Sequence, residues 1–480
     1  MYFSETLPMK GLCIHAHCYQ PPREDPFSGA IPKEPGAFPY AHWNERIHAE
    51  CYRPNALHGN FERISFNVGP TLFEWMETAD PEVYHRILEA DRYMLKQHGV
   101  GNALAQSYHH TILPLATTHE KRLQIRWGIA DFNYRFGHLP EGMWLPETAV
   151  DYETLNILAE EGIQFVILAP WQAQHPVDPT QPYRIELSGH KHLTVFFYHQ
   201  ELSGRVSFDP HTTVNADTFT FRDLQAHYTP NPSHPQLLLI ASDGELYGHH
   251  KAFRDLFLKH LLNVSAPEAG LTPTYPALWL KYHPPIASVA IREFTSWSCH
   301  HGVARWSTGC DCTGGNNAWK EKLRTALRTL ARLIDETFLR EVSPYFEDPW
   351  ELVESYLAVR QGNISIDALL HSLSIKPLSN QDIRRFQQLL HAQWDRHRMF
   401  TSCGWFFDDL DRIEPRNVLA YAAHAMHLTY QATGNDLMLP MSSLLQENRS
   451  PYTGISALEL LQSAEKQTHT SSETCSSTRW

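Results

Sequence analysis

From Lys10 to about Phe294 the chain alternates short, unbroken apolar runs with segments of helical period. The runs Leu12 to Ile14, Ile64 to Val68, Phe165 to Ala169, Val195 to Tyr198 and Leu237 to Ala241 predict strands, and Leu237 to Ile240 lacks the polar-apolar alternation of a half-exposed one. Buried parallel strands carry that signature. One intervening helix is clearly marked, with Asp151 as its N-cap, Leu155, Leu158 and Ala159 on one face, and Gly162 as the stop before the next strand. Strand, helix, strand in that order predicts right-handed crossovers, and its repetition over this length favours a (β/α) barrel over an open sheet. The connecting segments Pro21 to Tyr52, Pro170 to Pro182 and Asp209 to Pro235 are long and polar, and are expected to wall a cleft.

Beyond Phe294 the texture becomes helical. Leu323, Leu327, Leu330, Ile334 and Phe338 stand at helical spacing between Trp319 and Arg340. Ser379 opens a second helix carrying Ile383, Phe386, Leu390 and Trp394, and Pro415 occupies the first turn of a third with Leu419, Ala423, Met426 and Tyr430. The expected division is a barrel with long loops over 1–294, a helical domain contributing to the cleft over 295–466, and a disordered Ser/Thr-rich tail over 467–480.

Composition narrows the class. The 480 residues are 42% hydrophobic with a formal net charge of −13, a balance that argues against nucleic acid or an anionic membrane surface as partner. No stretch approaches the about 20 apolar residues of a membrane span, and residues 1–10 have no signal-peptide core, so a cytoplasmic protein is expected. Eight cysteines are scattered, and reduced thiols are the default there. Cys299, Cys310 and Cys312, with Cys403 further on, have the ligand types of a zinc site, yet their spacing matches no standard paired Cys-x-x-Cys arrangement, so no metal or cofactor is expected.

Two acidic segments follow apolar runs where strands should end: Gly142-Met-Trp-Leu-Pro-Glu147 and Leu237 through Asp243-Gly-Glu-Leu-Tyr-Gly-His-His250. Strand ends are where parallel α/β folds do chemistry. Glycosidic cleavage needs one carboxylate as nucleophile or base and one carboxyl as acid, and Glu147 and Asp243 are of the right type. A bland alternative makes Asp243-Gly244 a turn and Glu147 a helix cap. Trp144 stands three residues before Glu147 as a candidate stacking surface. His15 and His17, spaced i, i+2, share one face of a strand, which suits sugar hydroxyls, a divalent metal or a structural role.

Several segments together resemble glycoside hydrolase family 57, the retaining α-glucan-active enzymes. His15-Ala-His-Cys-Tyr-Gln-Pro-Pro22 is similar to its N-terminal His-Gln-Pro motif, with Tyr19 additional, and Tyr108-His-His110-Thr-Ile-Leu-Pro114 to its second motif. The Trp-Leu-Pro-Glu147 segment resembles the motif of the nucleophile, and Ser242-Asp243-Gly-Glu-Leu-Tyr-Gly-His249 that of the general acid/base. Thr295 through Trp306 resembles a fifth motif that contacts the sugar chain. The resemblance implies an incomplete (β/α)7 TIM-like barrel followed by a C-terminal helical bundle. It implies an α-glucan or maltooligosaccharide substrate, Glu147 and Asp243 as the catalytic pair, and His15, His17, His110, Trp144, Glu245, His249, Trp297, His301 and Trp306 as substrate contacts. Cys299 and His300 depart from the Gly-rich sequence usual there, and Cys310-Asp-Cys312 follows at once. Two other readings stand beside this one: a metal-dependent barrel hydrolase using the His-x-His pair, and a catalytically silent glucan-binding protein.

Overall fold

The computed structural model describes residues 9–230 and 234–465. The expected tail over 467–480 lies outside the described residues. The chain divides into two compact units: one comprises the N-terminal segment up to Pro22 together with Lys33–His300, the other Arg23–Pro32 and the chain from His301 onward.

The first unit is built on parallel strands. Strand β1 (Lys10–Cys18) is almost wholly buried and pairs in parallel with β2 (Ser65–Val68) on one edge. Two short strands, β3 (Ala105–Gln106) and β4 (Met143–Trp144), pair with each other, and single bridges tie β3's approach to β2 and β4's approach to β5 (Phe165–Leu168). β6 (Pro182–Glu186) runs antiparallel to β7 (His192–Phe197), which is parallel to β5. β8 (Gln236–Asp243) pairs with β1's other edge from Lys10 to His17, and the His199 N–H donates to the Leu239 carbonyl at 2.7 Å, linking the residues after β7 to β8. The five runs foreseen as strands all lie in these elements. The antiparallel β6 was not foreseen, since Pro182 and the alternation of Tyr183 to Glu186 read as loop in the sequence.

Side chains on the two faces of these strands feed two apolar clusters, one around Leu12, Ile14, Phe66, Val166 and Ile240, the other around Leu239, Phe165, Ile167 and Trp279. Burial on both faces explains why Leu237 to Ile240 does not alternate. The helix Tyr152–Glu160 begins as expected, with the Asp151 side chain accepting from the Thr154 N–H at 2.8 Å, and Gly162 follows it at φ 88°. The segments expected as cleft-walling loops carry short helical turns: Trp43–Ile47 continues through to Leu57, and Ala216–Thr218 through to His227. His42 caps the first of these by accepting from the Glu45 N–H, a local signal that an apolar period cannot reveal.

The second unit is helical. Trp319–Val342, Asn380–Arg398 and Ile413–Thr433 are the longest of its helices, and the last two pack along each other. Ser379 and Asp382 form a reciprocal capping box at the start of the second. Arg23–Pro32 belongs to this unit through Glu24, which is ion-paired with the buried Arg398 at 2.7 Å, and Phe27, whose ring lies 4.7 Å from that of His424.

Candidate active site

Strand register assembles one polar level in the first unit. His17 of β1 is aligned with Asn67 of β2 on one side and Asp243 of β8 on the other, while Gln106 of β3 is aligned with Trp144 of β4. The Asn67 amide donates to Gln106 Oε1 at 2.7 Å and is hydrogen-bonded to His17 Nδ1 at 3.0 Å. His15, one pleat earlier, is bonded through Nδ1 to Ser65 Oγ at 2.9 Å and through Nε2 to Asn67 Oδ1 at 3.3 Å. Five neighbouring strands thus deliver Asp243, His17, Asn67, Gln106 and Trp144 to one depth.

The expected role of Trp144 as an open stacking surface is corrected. Its side chain is fully buried and lies beneath both histidines, with ring centroids 4.7 Å from His15 and 5.0 Å from His17 at 21° to each. An indole enclosed on both faces supports its neighbours instead of offering a face to a ligand. His110, held at φ 53°, stacks on Tyr19 at 3.8 Å and on His17 at 5.1 Å, and its Nε2 is 3.2 Å from His17 Nε2. Burial pushes the titration of His15 down to about 3 and of His17 to about 4, with the neighbouring imidazole adding to the effect at His15. Burial and then His17 likewise hold His110 well below the usual histidine range. All three are therefore neutral at neutral pH, able to give and accept hydrogen bonds but carrying no charge. The ring nitrogens of His15 and His17 are engaged with protein groups, which disfavours their use as a metal pair.

Above this floor stand the two carboxylates. Glu147 occupies a tight turn, Pro146–Thr148, at φ 58°, with Thr148 following at φ 48°. Non-glycine residues in the left-handed region carry strain that the surroundings must hold. Here the buried Gln172 does so. Its Oε1 accepts from the Thr148 hydroxyl and from the Ala169 N–H, each at 2.9 Å, and its Nε2 donates to the carbonyls of Thr148 at 2.8 Å and Thr295 at 3.2 Å. The same turn is sewn to the segment after Phe294, where the Trp297 N–H donates to the Glu147 carbonyl at 3.0 Å. Oε2 of Glu147 then accepts from Trp297 Nε1 at 2.9 Å and from Ser298 Oγ at 2.8 Å, so the carboxylate is held in one orientation. Trp297 is half-buried, and its ring lies edge-on to Trp144 at 5.0 Å.

Asp243 closes β8. Its carboxylate is open to solvent yet ringed by protein, as a group on the wall of a concavity is. That enclosure, then the negative charges of Glu245 and Glu147, raise its titration to about 8. The charge of Glu147 acting on Asp243 places the two carboxyl groups near one another. Glu245 is buried two residues on, where it accepts from the Tyr19 N–H at 3.1 Å, from Gln20 Nε2 at 3.4 Å and from the Tyr52 hydroxyl. Burial raises its titration too. The sharp turn between Asp243 and Glu245 needs Gly244, because a Cβ there would stand 2.4 Å from Cys18 Sγ. His249 is engaged by Glu50.

His301 and Trp306 belong to the second unit. His301 Nδ1 lies 3.4 Å from Cys312 Sγ. The expected stacking role of Trp306 is corrected: it has no exposed surface and packs near Phe406 in that unit's interior. Sequence reading missed Ser65, Asn67, Gln106, Gln172 and Ser298. Only Ser65 and Asn67 left a trace, as the two polar residues interrupting the run Ile64 to Val68.

Comparisons with known proteins give a family and a fold. A model described as glycosyl hydrolase family 57 matches residues 17–274, and one described as a domain of unknown function, DUF3536, matches residues 316–456. Alpha-amylase 1 of Dictyoglomus thermophilum is 25% identical over 214 residues, a stretch covering 42% of this chain and only 29% of the amylase. Among solved structures, an exo-type maltose-forming amylase from Pyrococcus sp. ST04 superposes with a TM-score of 0.72 at 13% identity, covering 95% of this chain and 88% of that one. A family 57 branching enzyme from Thermococcus kodakaraensis gives a TM-score of 0.60 at 14% identity, covering 94% and 96%. At such identities the structural likeness is one of fold.

Proposed function

Because the chain belongs to glycosyl hydrolase family 57, we propose that it cleaves or transfers α-linked glucans by double displacement, with Glu147 as nucleophile and Asp243 as general acid and base. The proposal places this pair at the mouth of an incomplete barrel of parallel strands, a reading supported by the pairing order from β8 through β1 to β5 and by the link between β7 and β8.

One observation carries the assignment of roles: the two carboxyl groups are treated in opposite ways. Glu147 is fixed by two hydrogen-bond donors, Trp297 Nε1 and Ser298 Oγ. Asp243 accepts no such donors from those residues and is pushed up to about 8, so at neutral pH it keeps a proton to give. Glu147 attacks the anomeric carbon while the Asp243 proton passes to the leaving glycosidic oxygen, and a glycosyl ester forms as the carbon–oxygen bond breaks. Asp243, now a carboxylate, takes a proton from an incoming water or sugar hydroxyl, which attacks the anomeric carbon and releases Glu147. Neutral His17 and His110 lie beneath, suited to sugar hydroxyls rather than to charged ligands.

Trp144 and Trp306 are both buried, so neither offers an open face to a sugar. Product chromatography after incubation with maltoheptaose tests the function. Shorter sugars alone mean hydrolysis, and a ladder above and below the starting length means transfer. Glu147→Gln should lower either rate by about a thousandfold or more. Unchanged maltoheptaose with the wild-type protein removes simple α-1,4-glucans as substrates.

A further inference from the structure

The loop that opens the second unit gathers thiols and an imidazole that the glucan chemistry does not use. One nitrogen or sulfur atom from each of His301, Cys310 and Cys312 lies within 4.8 Å of the others, and His301 Nδ1 is 3.4 Å from Cys312 Sγ. In a tetrahedral zinc site, bonds of about 2.0 Å to nitrogen and about 2.3 Å to sulfur place those two ligand atoms about 3.5 Å apart. The cysteines are thiols, with no disulfide between them.

The loop backbone is organised around this cluster. The nearly buried Asn317 donates from Nδ2 to the carbonyls of Cys310 at 3.0 Å and Gly314 at 2.9 Å, and Thr313 donates to its Oδ1 at 3.0 Å. Arg305 Nη2 donates to the Cys312 carbonyl at 3.3 Å. Gly309, at φ 85°, lets the chain pass so close to Asn317 that a Cβ there would stand 2.5 Å from its Cβ. Both thiol-bearing residues are thus positioned by their main chain, in a stretch that short turns and no long helix or strand hold together.

We propose that His301, Cys310 and Cys312 supply three ligands of a structural zinc site. The set is thiolate-rich, as in structural rather than catalytic zinc sites. On binding, each coordinating thiol releases its proton to solvent and bonds the ion as a thiolate, with no change of oxidation state. This assignment takes His301 away from sugar binding and departs from the absence of metal expected from the cysteine spacing. It does not depend on the glucan reading.

Elemental analysis of the full-length protein, purified under reductant and dialysed against metal-free buffer, tests it. About one zinc per chain is expected, falling at least about tenfold in the Cys310→Ser/Cys312→Ser double variant. Because that variant could fail to fold, cobalt(II) substitution of the wild-type protein supplies a second reading. A thiolate-to-cobalt charge-transfer band with intense tetrahedral d–d absorption supports the site. Less than about a tenth of a zinc per wild-type chain, zinc retained by the double variant, or the weak spectrum of oxygen-ligated octahedral cobalt overturns it.

Discussion

In the proposed mechanism Asp243 decides the pH range in which the first bond can break, because only its protonated form can serve the leaving oxygen. Its titration near 8 places a decline of kcat/KM on the alkaline side of that value. Glu245 is one of the two charges that raise it. Replacing Glu245 by Gln removes a negative neighbour, so the Asp243 titration falls and the alkaline limb moves to lower pH. For a shift of one unit, from about 8 to about 7, activity at pH 8 drops about fivefold. A pH–rate profile whose alkaline limb stays in place in Glu245→Gln contradicts this role. At this scale the sequence was informative about identity and poor about environment. Glu147 and Asp243 stood out as acids after apolar runs, and Glu245 stands two residues from Asp243, but the distinction between them also needs Trp297 and Ser298, which lie far from both in the chain. The same blindness made Trp144 and Trp306 into candidate stacking surfaces, since nothing local in a sequence distinguishes an indole under a histidine from one beside a sugar.

The turn Pro146–Thr148 is the element on which the proposed nucleophile depends, and its two left-handed residues are held by one buried amide. Gln172→Ala frees the Thr148 and Thr295 carbonyls and the Ala169 N–H inside the protein, and should cost about 1–3 kcal/mol in denaturant unfolding. Because Gln172 binds the turn and not the reacting carboxylate, kcat should fall by about tenfold or more with little change in KM. A variant that loses stability but keeps kcat shows that the amide supports the fold alone. The strands and the long helices were legible because burial on both faces and helical periods act locally. The antiparallel β6 was not, because its partner β7 supplies the reason for it to be a strand. The helical turns within 43–57 and 216–227 also escaped notice: side-chain caps such as His42 set them, without an apolar stripe.

Across the whole molecule, buried neutral histidines make the protein sensitive to acid. His15 and His17 titrate near 3 and 4 when folded, against 6.5 when exposed. Below about 6.5 the unfolded chain takes up protons that the folded chain refuses, so stability falls as pH drops from about 6.5 towards 4 and is fully present above that window. Thermal melts across this range should show the loss for the transition of the first unit, and His17→Asn should flatten it; a Tm independent of pH between 4 and 6.5 contradicts the buried, neutral assignment. In the sequence the periodicity changes after Phe294, whereas the membership of Arg23–Pro32 in the helical unit leaves no such mark, since it rests on Glu24 meeting Arg398 and Phe27 meeting His424. The central claim is that a glycosyl ester forms on Glu147. Peptide mass spectrometry after incubation with a 5-fluoro-α-glucosyl fluoride, whose electron-withdrawing fluorine slows release of the ester, tests it directly: the account predicts one hexosyl adduct on the peptide containing Glu147, absent in Glu147→Gln, and an adduct on another carboxylate contradicts it.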